Sequence, residues 1–200
     1  MNNITKRQMD FLKAAIDIVS REGISKLTIR NVAAAVGVTE PAVYRHFPNK
    51  LALLETMLKE LQSAMFPYFR MLKKGSGAPK ESLREFIYGL FKEFEIRPAY
   101  APFIFSEEIF HNEAKLRNKL EEVMSENIHM LTEAFEVWQT RKVCRQDISA
   151  QQIAFLTLAS IRFSVSRWHV TNGKVKLNTL AEDIFSTLTA LLGLNGEMKK

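Results

Sequence analysis

Residues 27–50, LTIRNVAAAVGVTEPAVYRHFPNK, constrain the fold more than any other stretch of the chain. Their pattern is two short helices on either side of a single glycine. Thr28 has a hydroxyl able to accept from an otherwise unpaired backbone N–H, and stands as N-cap of the first helix. Val32, Ala33, Ala35 and Val36 give that helix an apolar side of small residues. Gly37 falls at the reversal, where a helix end calls for the positive φ that glycine takes without strain. Thr39 is the expected cap of a second helix over about residues 39–47. Pro41 lies in its first turn, where a missing N–H costs nothing. Two helices crossing steeply through a short glycine turn form a helix-turn-helix, here over 28–47, whose second helix enters the major groove of DNA.

The stretch resembles the tetracycline-repressor (TetR) family of transcriptional regulators. The likeness lies in LTIRNVAAAVGV, in Tyr44, His46 and Phe47, and in Asn49-Lys50-Leu51 opening the next helix. It reaches back through Phe11-Leu12-Lys13-Ala14-Ala15 and Glu22-Gly23-Ile24, covering roughly the first 60 residues of the chain. With the helical pattern of the rest, it implies an all-α protein of about nine helices. A three-helix DNA-binding module would occupy residues 4–64, and a larger helical domain for ligand binding and dimerisation residues 65–200.

Charge is uneven. Residues 1–50 hold eight Lys/Arg against four acids, so they carry four of the chain's net +6, while residues 51–200 share the remaining two. A basic module on a nearly neutral body suits phosphate binding, because cationic neutralisation supplies most non-specific DNA affinity. A solvated basic surface is the plainer explanation, and charge alone does not choose between them. Other features bound the class. No run approaches 18 consecutive apolar residues, so no transmembrane helix is expected. MNNITKRQMD lacks the apolar core of a signal peptide. Cys144 is the single cysteine and has no internal disulfide partner, which suits a reducing compartment. The expected location is the cytoplasm.

The body reads as helices. Thr5 with Gln8 makes a capping box for helix one, which ends at Glu22-Gly23. Asn49 caps a long fourth helix, in which Pro67 should kink or interrupt the run before Lys73-Lys74. Gly75-Ser76-Gly77-Ala78-Pro79 is the clearest loop. A fifth helix spans about Lys80 to Ile96. Arg97-Pro98 and Pro102 break the pattern, and Phe103 to Phe110 suggest a short sixth helix. A seventh runs from about Asn112 to Arg141, followed by a polar loop at 142–149. Ala150 to Val170 is apolar around most of its circumference, which calls for a core on one side and a partner subunit on another. Thr171-Asn172-Gly173 stops it, and Asn178 caps the last helix, about 178–193. The last two helices are therefore the expected homodimer interface.

Residues near the start of a recognition helix face base edges, and flanking polar or basic groups hold phosphates. In the proteins that this sequence resembles, positions matching Arg30, Glu40, Pro41 and Ala42 approach bases. Those matching Thr28, Thr39, Tyr44, His46 and Lys50 hold the backbone. The chemistry agrees position by position. Arg30 has the fork that grips guanine O6 and N7, with a surface salt bridge as its alternative. Pro41 and Ala42 offer apolar surface to a thymine methyl or simply shape the helix. Tyr44 has a phenol for a phosphate oxygen, or a ring for packing. Arg45 reaches phosphate or base, and Val43 and Phe47 face the module's core. Lys50 adds its charge to the free N–H groups of a helix N-terminus. Glu40 departs from the basic surroundings: phosphates repel it unless it accepts from a cytosine N4 amine. It is expected to tune sequence preference and lower non-specific affinity.

Twelve of the 14 phenylalanines lie after residue 50. Most suit ordinary helical core. The alternative is an apolar pocket between helices, which the resemblance supports, since TetR-like regulators bind inducers in the larger domain. Its candidate lining is Phe86, Leu90, Phe94, Phe103, Phe110, Met124, Phe135, Phe155 and Phe163. Glu107, Glu108, His111 and Arg162 are candidate orienting groups. Arg162 interrupts an apolar run, and either meets a carboxylate (a ligand's, or that of Glu107 or Glu108) or reaches solvent along its stem. His46, His111, His129 and His169 lack metal-ligand spacing, and no catalytic motif or cofactor loop is present. The chain is therefore expected to be a homodimeric transcriptional regulator without metal, cofactor or catalytic residues. It would leave a near-palindromic operator on meeting an apolar or amphipathic small molecule. Control by a protein partner, activation, or an architectural role are the alternatives.

Overall fold

The computed structural model describes residues 4–74, 78–106, 110–111 and 113–194, and all regular structure among them is helical. The helices are α1 (Lys6–Glu22), α2 (Ile29–Val36), α3 (Glu40–Tyr44), α4 (Lys50–Lys74), α5 (Pro79–Ile96), α6 (Tyr100–Ile104), α7 (Ala114–Thr140), α8 (Ala150–Val170) and α9 (Leu177–Leu192), with a 3₁₀ turn at Ile24–Lys26. The expected all-α architecture, with a helix-turn-helix module and a helical body, is what the chain adopts.

Contacts divide the chain into two compact units. One takes in Met1–Gln62 with Arg97–Glu121, the other Ser63–Ile96 with Glu122–Lys200. In the first, α1 packs on α2, on the 3₁₀ turn and on α6, and α2 packs on α3. Helix α1 is started by the expected capping box: Thr5 Oγ1 accepts from the Gln8 N–H at 3.2 Å, and Gln8 Oε1 accepts from the Thr5 N–H at 3.0 Å. Its buried side is Phe11, Leu12, Ala14, Ala15, Ile18 and Val19, apolar residues recurring at helical spacing. The segment Arg97–Glu121 was expected in the body, within residues 65–200; its contacts group it with the reading module.

In the second unit α9 packs on α5 and α8, and α5 also meets α8. Phe69 meets Phe86 edge-on at 5.0 Å, and Phe135 meets Trp138 at 5.4 Å, the geometry that aromatic quadrupoles favour. Gly89 is required by a close approach, for a Cβ there would stand 2.1 Å from Cε1 of Tyr68. The loop before α8 is tied to α9. Arg145 donates from its backbone N–H to the Leu192 carbonyl and from Nη1 to the Leu191 carbonyl, both at 3.0 Å. Asp147 grips the same guanidinium at 2.7 Å and 2.5 Å, which holds its carboxyl down at about 2.

Several local expectations change. Pro67 lies inside α4, which runs through it without interruption. Asn178 does not cap α9; the helix begins at Leu177, after Lys176. A short helix, α6, begins earlier than expected and contains Pro102; of the helix expected over Phe103 to Phe110, Phe105 and Ser106 are not helical and residues 107–109 lie outside the described residues. Proline is tolerated in α6 because it stands in the first turn, whose N–H groups have no helical acceptor. Ala35 is exposed, and α2 buries Ile29, Val32 and Ala33 instead. Of the loop at 75–79, residues 75–77 lie outside the described residues, as do Glu107, Glu108 and Asn112.

Candidate nucleic-acid interface

The turn between α2 and α3 is built as its sequence requires. Thr28 Oγ1 accepts from the Asn31 N–H at 3.1 Å, and the Asn31 amide donates to the Lys26 carbonyl at 2.7 Å, fastening the start of α2 to the preceding turn. At the other end Gly37 is left-handed, with φ 73° and ψ 37°. Its N–H reaches the Ala34 carbonyl at 3.1 Å, and the Val38 N–H the Ala33 carbonyl at 2.9 Å. These bonds satisfy the carbonyls that a helix end leaves open and aim the chain into α3.

Helix α3 is shorter than expected, Glu40–Tyr44 rather than 39–47. Thr39 stands at the N-cap position but its side chain makes no capping bond, so the expected cap is absent. After Tyr44 the chain turns, and the His46 and Phe47 N–H groups both donate to the Val43 carbonyl at 2.9 Å. Val43 and Phe47 are buried, Phe47 edge-on to Phe11 at 6.3 Å. Burying these two turns the opposite side of α3 outward.

All ten candidate DNA contacts reach solvent. Thr28, Arg30, Thr39, Pro41, Tyr44, Arg45 and Lys50 are exposed, and Glu40, Ala42 and His46 are half-buried. The Tyr44 ring is 45% exposed, so core packing does not claim it. His46 lies 5.4 Å from the Phe11 ring, which limits how far its imidazole swings. The hydroxyl of Thr28 is engaged as acceptor by its own helix and keeps its proton for donation. Lys50 is the first residue of α4, whose opening N–H at Ala52 is taken by Asn49 Oδ1 at 2.8 Å.

The body candidates fall into three groups. Phe86, Leu90, Phe94 and Phe135 are buried within their unit. Phe103 and Phe110 are buried in the unit that holds the reading module, their rings 5.9 Å apart, and His111 is exposed there. Met124, Phe155 and Phe163 do not line an enclosed cavity: they are 42%, 60% and 71% exposed. The reason is that Ile153, Ala154, Thr157, Ile161, Ser164 and Val165 form the buried side of α8, leaving Phe155 and Phe163 on the other side. Arg162 is exposed on that side too, with its pKa lowered by partial desolvation. Glu107 lies outside the described residues. One feature the periodicity did not single out is an open groove of about 650 Å³ lined by Ile128, Ile148, Gln151, Gln152, Phe155 and Leu156. The described residues hold no group of three or more His, Cys, Asp or Glu placed to take a metal ion. No described helix is long and apolar enough to cross a membrane.

Residues 11–57 match the family model of bacterial regulatory proteins, tetR family. The nucleoid occlusion factor SlmA of Actinobacillus pleuropneumoniae serotype 5b (strain L20) is 26% identical over 87 residues, an alignment spanning 43% of this chain and 43% of that relative. Among solved structures, the fatty acid degradation regulator FadR from Bacillus halodurans superposes with a TM-score of 0.82 at 18% identity, covering 98% of this chain and 100% of that one. FadR from Bacillus subtilis, solved in complex with stearoyl-CoA, gives 0.75 at 18% identity over 90% of this chain and 96% of that one.

Proposed function

We propose that this chain, a tetR-family DNA-binding transcriptional regulator by its reading module and its fold, is a homodimeric cytoplasmic repressor that a small apolar or amphipathic molecule releases from its operator. The observation that carries the DNA half is the face of the module: ten polar, basic or small residues reach solvent around α3 while Val43 and Phe47 anchor it from behind. Basic groups around such a helix hold phosphates, and its first residues meet base edges.

The dimer is supported by α8, whose outer side leaves Phe155, Phe163 and Val170 in solvent. Large side chains exposed along one helix face are the usual mark of an interface. The exposed positions of α9 are smaller and more polar, among them Thr179, Glu182, Asp183, Ser186 and Thr187, so α8 supplies most of the apolar area. A twofold axis then sets two recognition helices about 34–36 Å apart on a near-palindromic site. An effector is supported by the stearoyl-CoA held by a protein of like fold. An effector that binds the DNA-free state better lowers operator affinity by linkage, whatever the route between sites.

A second reading, the same fold on DNA without a small-molecule effector, is favoured by the likeness to a nucleoid occlusion factor and by the close burial of Phe86, Phe94 and Phe135. One experiment separates them. Operator duplexes are selected from a random pool, and release is followed by fluorescence anisotropy while fatty acids, acyl-CoA thioesters, aromatics and cationic drugs are titrated. A compound that raises the melting temperature and frees the DNA establishes the sensor. A panel that does neither favours the second reading. Sedimentation showing a monomer on operator DNA rules out the dimer.

A further inference from the structure

Resting on the DNA-binding reading above, we propose that Glu40 is the residue that selects cytosine at one position of each operator half-site. Glu40 is the first residue of α3, half-buried between exposed Thr39 and exposed Pro41. No described cation forms an ion pair with it. The module thus presents a carboxylate without an ion-pair partner at the start of the helix that the DNA-binding reading places in the groove, in a segment otherwise carrying a surplus of Lys and Arg.

An ionised carboxylate is acceptor only. In the major groove, guanine shows it two acceptors, N7 and O6, and thymine an acceptor beside a methyl group. Adenine shows a donor at N6 but an acceptor at N7 next to it. Cytosine alone shows a donor, the N4 amine, with no acceptor on its own edge. Phosphates repel the same charge, so Glu40 weakens every register in which it does not meet that amine. It acts as attraction for one base and as penalty for the rest, the two halves of specificity.

The donor–acceptor argument makes a directional demand. Gln in the same place has both a donor and an acceptor and pairs with adenine N6 and N7. Selection of duplexes from a random pool, run with the full chain and with its Glu40→Gln and Glu40→Ala variants, reads this directly. The wild type is expected to enrich cytosine at one position per half-site by about 5- to 150-fold over other bases, the range of a good side-chain–base pair. Glu40→Gln should move that position to adenine, and Glu40→Ala should leave it without preference, all other positions unchanged. Both variants should also bind random DNA more tightly than the wild type at low salt. A cytosine position that persists in Glu40→Ala, or a wild type with none, overturns the assignment. A wild type that enriches no sequence at all overturns the DNA-binding reading beneath it.

Discussion

Burial at single residues sets where this protein is sensitive to pH. Tyr100 is 2% exposed, and that burial, with Glu60 adding a repulsive charge against Arg97, pushes its phenol from 10.0 up to about 12. A raised acid pKa stabilises the fold fully below pH 10 and loses that contribution as pH climbs toward 12, because the unfolded chain ionises first. Tyrosinate absorbance followed through alkaline pH should show a late step near 12 that Tyr100→Phe removes; an unchanged curve refutes the assignment. Residue-level reading of the sequence succeeded where chemistry is local. Thr28 and Asn49 are caps whose acceptors lie three residues from their donors, and Gly37 is left-handed because the turn demands it. It failed at Thr39, which stands at the N-cap position of α3 without a side-chain bond, and at Asn178, which lies inside α9.

Among elements, α9 depends on a partner far away in sequence. Its last carbonyls, at Leu191 and Leu192, are met by Arg145 from the loop between α7 and α8, while Gln139 on α7 donates to the Arg145 and Ile148 carbonyls at 3.0 Å and 2.7 Å. A cation at a helix C-terminus also complements the macrodipole. Arg145→Ala should therefore lower the urea midpoint by the equivalent of about 1 kcal/mol. Arg145→Lys should restore only part of it, since an ammonium lacks the planar fork that Asp147 grips. Equal stability of all three proteins would show that the clamp contributes nothing. No periodicity along residues 142–149 announces this clamp, because its acceptors come from residues 191 and 192. The same limit explains α6: two prolines near Tyr100 read as breakers, yet a proline in a first turn does not prevent a helix.

At the scale of the whole molecule, the apolar side of α8 left in solvent is the feature that a single chain does not satisfy. Phe163 is 71% exposed, so Phe163→Asp removes no packing from the isolated chain. It should leave the helical content of the folded chain nearly unchanged, yet yield monomers in sedimentation, melt earlier as the stabilisation from dimerisation is lost, and lose operator affinity. Retention of a dimer would move the interface elsewhere. The sequence by itself determined the helical class, the spans of α1, α5 and α8 to within a residue or two, and the two ends of α2 in the reading module, at Thr28 and Gly37. Those depend on spacing of apolar residues and on caps within one turn, which are local interactions. Only the tertiary structure decided which side of α8 is buried, which phenylalanines leave the core, that residues 97–121 join the reading module, and which loop closes α9. Each depends on what another element brings across space, and the hydrophobic effect is blind to which apolar residue it buries until that neighbour is in place.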